Sequence, residues 1–142
     1  MRYLLDTCVL SELVKAAPEE RVLRWMEGRK AHELCISAMT WGELHRGVAR
    51  LPESRRRSEL AQWLEQLQAG LEDRVLAFDR RVAEAWAQMT AHAESNGKPM
   101  AALDSIIAAT ARAYECTLVT RNVRDFGSAG LDLFSPWGTQ AD

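Results

Sequence analysis

The chain has 142 residues, of which 47% are hydrophobic and 27% charged, and its formal net charge at pH 7 is −2. This length and composition predict a single soluble domain over 1–142 with a sizeable core. The charge excludes a general attraction to nucleic acid, so such contacts must come from local arginines or a bound cation. No apolar run approaches the length of a membrane span, so we expect a cytoplasmic protein without membrane contact.

The cysteines and histidines do not form a recognisable metal-binding pattern. Cys8, Cys35 and Cys116 lack C-x-x-C spacing and lie in or beside apolar runs, which predicts buried free thiols in a reducing compartment. The three histidines are scattered along the chain. A zinc site or a disulfide framework is therefore not expected.

The order of the predicted elements is that of an α/β protein. Short apolar runs predict about five strands, at 3–5, 34–37, 74–78, 117–120 and 131–134. Helical spacing predicts one helix directly after Asp6 and others at 19–28, 38–51, 54–71, 80–95 and 100–114. This alternation predicts an α/β/α sandwich around a central parallel sheet. The helices 38–51 and 54–71 should form a projecting helical hairpin.

Asp6 follows the first predicted strand and precedes the first predicted helix. In open α/β sheets, ligands bind at the carboxyl ends of the strands, so an acid here is a candidate catalytic residue. Aspartate is also a favoured helix N-cap, and Asp6 considered alone fits that role better. The functional interpretation depends on other acids reaching the same edge.

Glu43 is the second candidate, on the helix that follows the second strand. Thr40-x-x-Glu43 fits a capping box, in which the glutamate would only cap the helix. Ser37 can cap the same helix instead, which would free Glu43 to point toward Asp6. The spacing leaves both alternatives open.

Asp104 is the third candidate, within one of the least polar stretches of the chain. An aspartate inside an apolar helix is a buried charge that needs compensation, which favours a functional role. The alternative is an aspartate in the second turn that is stabilised by the helix dipole.

A last polar cluster follows the fourth strand and contains Thr120, Asn122 and Asp125. These residue types are also common in simple turns. Together with the three acids, they would place oxygen ligands at several strand ends, which suits a hard cation such as Mg²⁺ or Mn²⁺. A cation would also relieve the repulsion between crowded carboxylates.

Four segments in this order resemble the PIN-domain ribonucleases, above all the VapC-type toxins of bacterial toxin–antitoxin pairs and their FitB-like branch. The segments are Leu-Leu-Asp6-Thr7, Thr40-x-x-Glu43-Leu44, Ala-Leu-Asp104-x-x-Ile-Ala-Ala and Thr120-Arg-Asn122-x-x-Asp125-Phe126. The likeness runs from about residue 2 to 137, and the Pro136-Trp137 ending fits the same branch.

The resemblance implies a toxin that cleaves RNA with Mg²⁺ or Mn²⁺, forms a homodimer and is neutralised by a VapB-like antitoxin. Operator DNA would be bound only through that antitoxin. By position, Asp6, Glu43 and Asp104 match the central acids of the family and Asn122 its fourth site position, and all four are assigned to catalysis. Asp6 and Asp104 would hold the metal ion.

Three further residues would orient these groups: Thr7, Thr120 and Asp125. Two departures from the family pattern concern Cys8, where many relatives have asparagine or serine, and Asn122, where an aspartate is common. Asp125 is the residue that would replace part of the missing charge. The departure at Asn122 favours one alternative function, a catalytically weak protein that only binds RNA or its antitoxin.

Local arginines would supply the contacts with RNA or with the antitoxin. Arg46 and Arg50 lie one turn apart on the predicted Glu43 helix, and Arg121 and Arg124 flank Asn122. The run 55–57 is better explained as the solvated start of a helix.

Overall fold

The computed structural model describes residues 1–138, and the last four residues of the predicted domain, 139–142, lie outside the described residues. Within the described part of the chain there are five strands, β1 Tyr3–Leu5, β2 Leu34–Ser37, β3 Val75–Leu76, β4 Thr117–Val119 and β5 Leu133–Phe134. The α-helices of the same part are α1 Thr7–Leu13, α2 Glu20–Glu27, α3 Ala38–Ala49, α4 Arg55–Leu71, α5 Arg80–Ser95 and α6 Ala102–Ala113. Two 3-10 helices, Ala31–Glu33 and Val123–Ala129, complete the secondary structure of this part.

The strands form one parallel sheet in the order β3-β2-β1-β4-β5, with β1 at its centre. Leu4 of β1 pairs with Cys35 of β2 on one side and with Leu118 of β4 on the other. The carboxyl ends of β1, β2 and β4 therefore lie side by side at one edge of the sheet.

Helices cover both faces of the sheet. Successive residues of a strand point to opposite faces, so each strand contributes side chains to two separate cores. Leu4 and Leu118 belong to a core formed with α5 and α6. Leu5 and Val119, the next residue on each strand, belong to a core formed with α1, α2, α3 and α4. The predicted α/β/α sandwich is confirmed.

The helices α3 and α4 pack against each other as the predicted hairpin. Ser37 caps α3 and Ser54 caps α4, in each case by accepting a hydrogen bond from a backbone N–H of the first turn. Leu44 and Leu64 bury the facing sides of the pair.

Some element boundaries differ from the prediction. The helix expected from residue 100 begins at Ala102, because Ala101 has an extended backbone with ψ of 145°. The strand expected over 74–78 is limited to Val75–Leu76, since Phe78 is exposed and Asp79 already caps α5. The 3-10 helix Val123–Ala129 was not predicted, because its polar and glycine residues carry no apolar periodicity.

The three cysteines are free, as predicted. Cys35 and Cys116 are buried, with their sulfur atoms 3.8 Å apart, whereas Cys8 is only half-buried, which corrects the expectation that all three are buried. Cys8 is more exposed because it belongs to the first turn of α1, at the open edge of the sheet. None of the helices within residues 1–138 is long and apolar enough to cross a membrane.

Candidate active site

Asp6 lies at the carboxyl end of β1 and is 7% exposed. Its Oδ1 accepts a hydrogen bond from the backbone N–H of Thr7 at 2.8 Å, so Asp6 does act as the N-cap of α1. Its Oδ2 accepts the hydroxyl of Thr120 at 2.8 Å and the thiol of Cys8 at 3.6 Å. One carboxylate oxygen is therefore engaged in capping, and the other is held by groups from β4 and α1.

Glu43 is released from the capping role that the sequence left open. Ser37 accepts the backbone N–H of Thr40 at 3.0 Å and caps the helix itself. Glu43 Oε1 instead accepts the hydroxyl of Thr7 at 2.6 Å. Because Thr7 follows Asp6 directly, this bond brings the Glu43 carboxylate beside the end of β1.

Asp104 occupies the first turn of α6, and this position corrects the expectation of a charge inside the helix. The helix starts two residues later than predicted, and the side chain of Asp104 is half-buried. Burial raises the pKa of Asp104 above its ordinary value, and repulsion from Asp6, Asp125 and Glu43 raises it further. The charges of three acids from other segments of the chain therefore act on Asp104.

The segment after β4 contributes through its backbone as well as its side chains. The N–H of Asn122 donates to Thr120 Oγ1 at 3.1 Å, and the N–H of Asp125 donates to the carbonyl of Asn122 at 3.0 Å. Both residues are exposed. The turn therefore supports the same hydroxyl of Thr120 that binds Asp6, while no described hydrogen bond ties the Asn122 amide group to the acids.

An open cleft of about 580 Å³ lies beside Asp104 and Asp125. Lys98 and Arg124 also line this cleft. Lys98 was not singled out from the sequence, because a lysine in the loop before α6 belongs to none of the motifs. A pair of cationic side chains beside two acids suits a phosphate whose metal ion is held by the acids.

A second groove, of about 340 Å³, lies between α1, α3 and α4 and begins at Thr7 and Glu43. Its far wall includes Arg56, whose guanidinium donates to the carbonyl of Val14 at 2.8 Å. Arg46 on α3 is exposed. Arg56, which belongs to the predicted solvated helix start at 55–57, is exposed. Its side chain also connects α4 to the end of α1.

Cys8 belongs to the same edge. Its sulfur accepts the backbone N–H of Arg121 at 3.5 Å and lies 3.8 Å from Thr120 Oγ1. Burial is the main cause that raises the pKa of the thiol to about 11, and the charge of Asp6 adds to it. The side chain therefore stays a neutral thiol at physiological pH.

The chemistry of this set of donors fits a hard divalent cation. Carboxylate oxygens are the preferred ligands of Mg²⁺ and Mn²⁺. Burial is the main cause that raises the pKa of Asp104, and a cation would remove the further contribution from the charges of Asp6, Asp125 and Glu43. Within residues 1–138, no three side chains of Asp, Glu, His or Cys are already close enough together to hold an ion.

Comparison with known proteins gives consistent matches along the chain. The pattern of the PIN domain matches residues 3–130. Toxin FitB of Neisseria gonorrhoeae is 40% identical over 138 residues, which cover 94% of this chain and 97% of that protein. VapC ribonuclease Y4jK of Sinorhizobium fredii is 40% identical over 134 residues, which cover 94% of this chain and 96% of that protein. The structure of FitAB bound to an IR36 DNA fragment matches with a TM-score of 0.92 and 36% identity, over 98% of both chains.

Proposed function

Because this chain belongs to the PIN domain family, we propose that it is a divalent-metal-dependent endoribonuclease and the toxin of a toxin–antitoxin pair. The observation that carries the proposal is that hydrogen bonds hold Asp6 and Glu43 beside the end of β1, near enough to Asp104 for their charges to raise its pKa. The relatives named a toxin and a ribonuclease support the same assignment. The whole sequence, 1–142, would act as one domain.

In this proposal, Asp6 and Asp104 hold Mg²⁺ or Mn²⁺, and Glu43 and Asn122 complete the catalytic set. When bound, such an ion lowers the pKa of the attacking water and offsets charge on the scissile phosphate. Hydrolysis forms a bond from the water oxygen to phosphorus and breaks the bond to O3′. The products are a 5′-phosphate and a 3′-hydroxyl.

The residues around the acids keep this set in place. Thr120 fixes Oδ2 of Asp6, and Thr7 fixes Oε1 of Glu43, so each carboxylate has a defined orientation before substrate arrives. Asp125 adds negative charge beside Asp104 and would help to attract the cation. None of these steps requires a histidine.

The substrate would be held by cations around the acids. Arg46 and Arg50 on α3 are exposed, as is Arg121 after β4, and Lys98 and Arg124 line the cleft beside Asp104. Each can neutralise an RNA phosphate. The same arginines could bind the carboxylates of an antitoxin instead.

We further propose a VapB-like antitoxin as the partner, seated in the groove between α1, α3 and α4. The match to FitAB bound to DNA supports such a complex. Since the net charge of this chain is −2, the operator DNA would be contacted through the antitoxin. The exposed apolar side chains of Phe78, Trp86 and Leu103 favour a homodimer, and the free thiols favour a reducing, cytoplasmic location.

The test of this function is cleavage of total RNA by the purified chain with Mg²⁺, with Mn²⁺ and with EDTA. The proposal predicts discrete fragments with 5′-phosphate ends in either metal and none in EDTA. Cleavage that persists in EDTA would contradict it. Binding of RNA without any cleavage would favour the alternative, a catalytically weak binding protein, for which the asparagine at position 122 is the supporting feature.

A further inference from the structure

Arg121 lies at the rim of the acid site, and its side chain extends over an aromatic ring from the end of the chain. The guanidinium carbon is 5.6 Å from the centre of the Trp137 ring. At its other end, the backbone N–H of Arg121 donates to Cys8, and the preceding residue, Thr120, donates to Asp6. The backbone of Arg121 is therefore fixed beside the acids, and its guanidinium lies over the Trp137 ring.

Trp137 is itself held firmly. It is 8% exposed and packs in the core on the α1 face of the sheet, with Leu5 and Val9 among its companions. Glu12, a 4% exposed acid on α1 that the proposed chemistry does not use, lies close enough for Trp137 to lower its pKa.

Glu12 is fixed in turn by two other contacts. Its Oε1 accepts the ammonium of Lys15 at 3.0 Å, and its Oε2 accepts the backbone N–H of Glu19 at 3.0 Å. The Lys15 bond is the main cause that lowers the pKa of Glu12, and the Glu19 backbone N–H and Trp137 contribute. The carboxylate therefore stays ionised beside the indole ring.

We propose that Trp137 is a positioning residue, which holds the guanidinium of Arg121 at the rim of the acid site for contact with an RNA phosphate. This inference rests on the proposed function. A guanidinium held over an aromatic ring can still donate N–H groups to phosphate oxygens, beside or in place of its present partners. An arginine that is already restrained also loses less side-chain freedom when RNA binds.

The inference predicts that the contribution of Trp137 to RNA binding passes through Arg121. We would measure the Kd of a fluorescein-labelled single-stranded RNA of about 12 nucleotides by anisotropy, in EDTA so that no cleavage interferes. The variants are Trp137→Leu, Arg121→Ala and their combination. Trp137→Leu should raise the Kd about fivefold in the parent and leave it unchanged in the Arg121→Ala background.

Two variants separate positioning from loss of packing. Trp137→Phe keeps an aromatic face for the guanidinium but loses the indole N–H, and it should bind RNA within about twofold of the parent. Trp25→Leu is the matched control, because Trp25 also packs on this face of the sheet and lies under another guanidinium, that of Arg29, at 5.4 Å. It should lower the melting temperature without changing the RNA affinity.

Equal weakening by Trp137→Leu in both backgrounds would overturn the inference, because the tryptophan would then act only through packing. No weakening in the parent background would overturn it as well. If the coupling between the two residues is found but metal-dependent cleavage is absent, the nuclease proposal fails while the positioning role stands. A parent chain that binds no RNA in EDTA but cleaves it with Mn²⁺ would refute the positioning role and leave the nuclease proposal standing.

Discussion

The hydroxyl of Thr120 donates a hydrogen bond to Oδ2 of Asp6 at 2.8 Å, although the two residues are 114 positions apart in the chain. The contact is possible because β1 and β4 are neighbouring parallel strands whose carboxyl ends meet at the same edge. It gives the central acid of the site a fixed orientation that does not depend on a bound ion.

Replacing Thr120 with valine should therefore slow RNA cleavage about tenfold or more, because Asp6 loses the donor that orients it. The backbone N–H of Asn122 would lose its acceptor at the same time. We expect a stability loss of about 1–2 kcal/mol for these two bonds, too little to unfold the protein. Thr90→Val is the matched control, since the Thr90 hydroxyl donates to the carbonyls of Trp86 and Ala87 within α5, and it should leave cleavage unchanged.

The bond between Thr7 and Glu43 makes a second prediction. Thr7→Val removes the only side-chain hydroxyl that this position offers to Glu43, and cleavage should fall about tenfold. Thr7→Ser keeps the hydroxyl and should retain most of the activity. Single-turnover rates at saturating Mg²⁺ would compare the two variants. Equal losses in both would show that the methyl group, rather than the hydrogen bond, matters.

The raised pKa of Asp104 predicts how the free energy of unfolding depends on pH when no metal is present. Its pKa is raised above 3.8 in the folded chain, mainly by burial and then by the neighbouring acids, so the folded state binds the proton more tightly than the unfolded state. In EDTA, the Asp104 carboxyl should therefore lower the free energy of unfolding, and this loss should grow as the pH rises from about 4 through the folded pKa. The helix dipole favours the charged form in the first turn, but the net upward shift means that burial and repulsion outweigh it.

The variant Asp104→Asn tests this directly. Its melting temperature in EDTA at neutral pH should equal or exceed that of the parent, and the difference should shrink toward pH 4. Added Mn²⁺ should raise the melting temperature of the parent more than that of the variant. A lower melting temperature for Asp104→Asn across this whole pH range would contradict the electrostatic account.

Cys8→Ser should cleave RNA within about threefold of the parent, because a serine hydroxyl can donate to Asp6 Oδ2 as the thiol does. Cys8→Val removes the donor and should be distinctly slower.

The pKa of about 11 also predicts slow alkylation of Cys8 by iodoacetamide at pH 7.5, which mass spectrometry of the labelled peptide would measure.

The sequence contained enough information to predict the sheet and the helices around it, because β-strand and helix patterns differ in their apolar spacing. It did not reveal where α6 begins. Pro99 and Met100 fit a first helical turn, whereas the extended backbone at Ala101 delays the helix to Ala102. That shift turned a supposedly buried charge at Asp104 into a half-buried residue of the first turn.

Asp6 and Glu43 could be proposed from their places near strand ends, Asp104 from its apolar surroundings, and all three from the family resemblance. The contacts around them could not, because they join segments that are distant in the chain. The ring of Trp137 under Arg121 and the cleft beside Lys98 depend on how the tail and the loop before α6 fold back. No spacing rule in the sequence connects them to Asp6.

The most direct test of the central claim is the rate of RNA cleavage in Mn²⁺ by the parent, Asp6→Asn and Asp104→Asn, measured beside Asp132→Asn. Asp132 is an exposed acid before β5 and outside the cluster, so its variant controls for the loss of one charge. We predict that both cluster variants lose cleavage by about a hundredfold or more while remaining folded, and that Asp132→Asn cleaves like the parent. Cleavage by Asp6→Asn and Asp104→Asn at the rate of the parent would show that these carboxylates do not form the nuclease site.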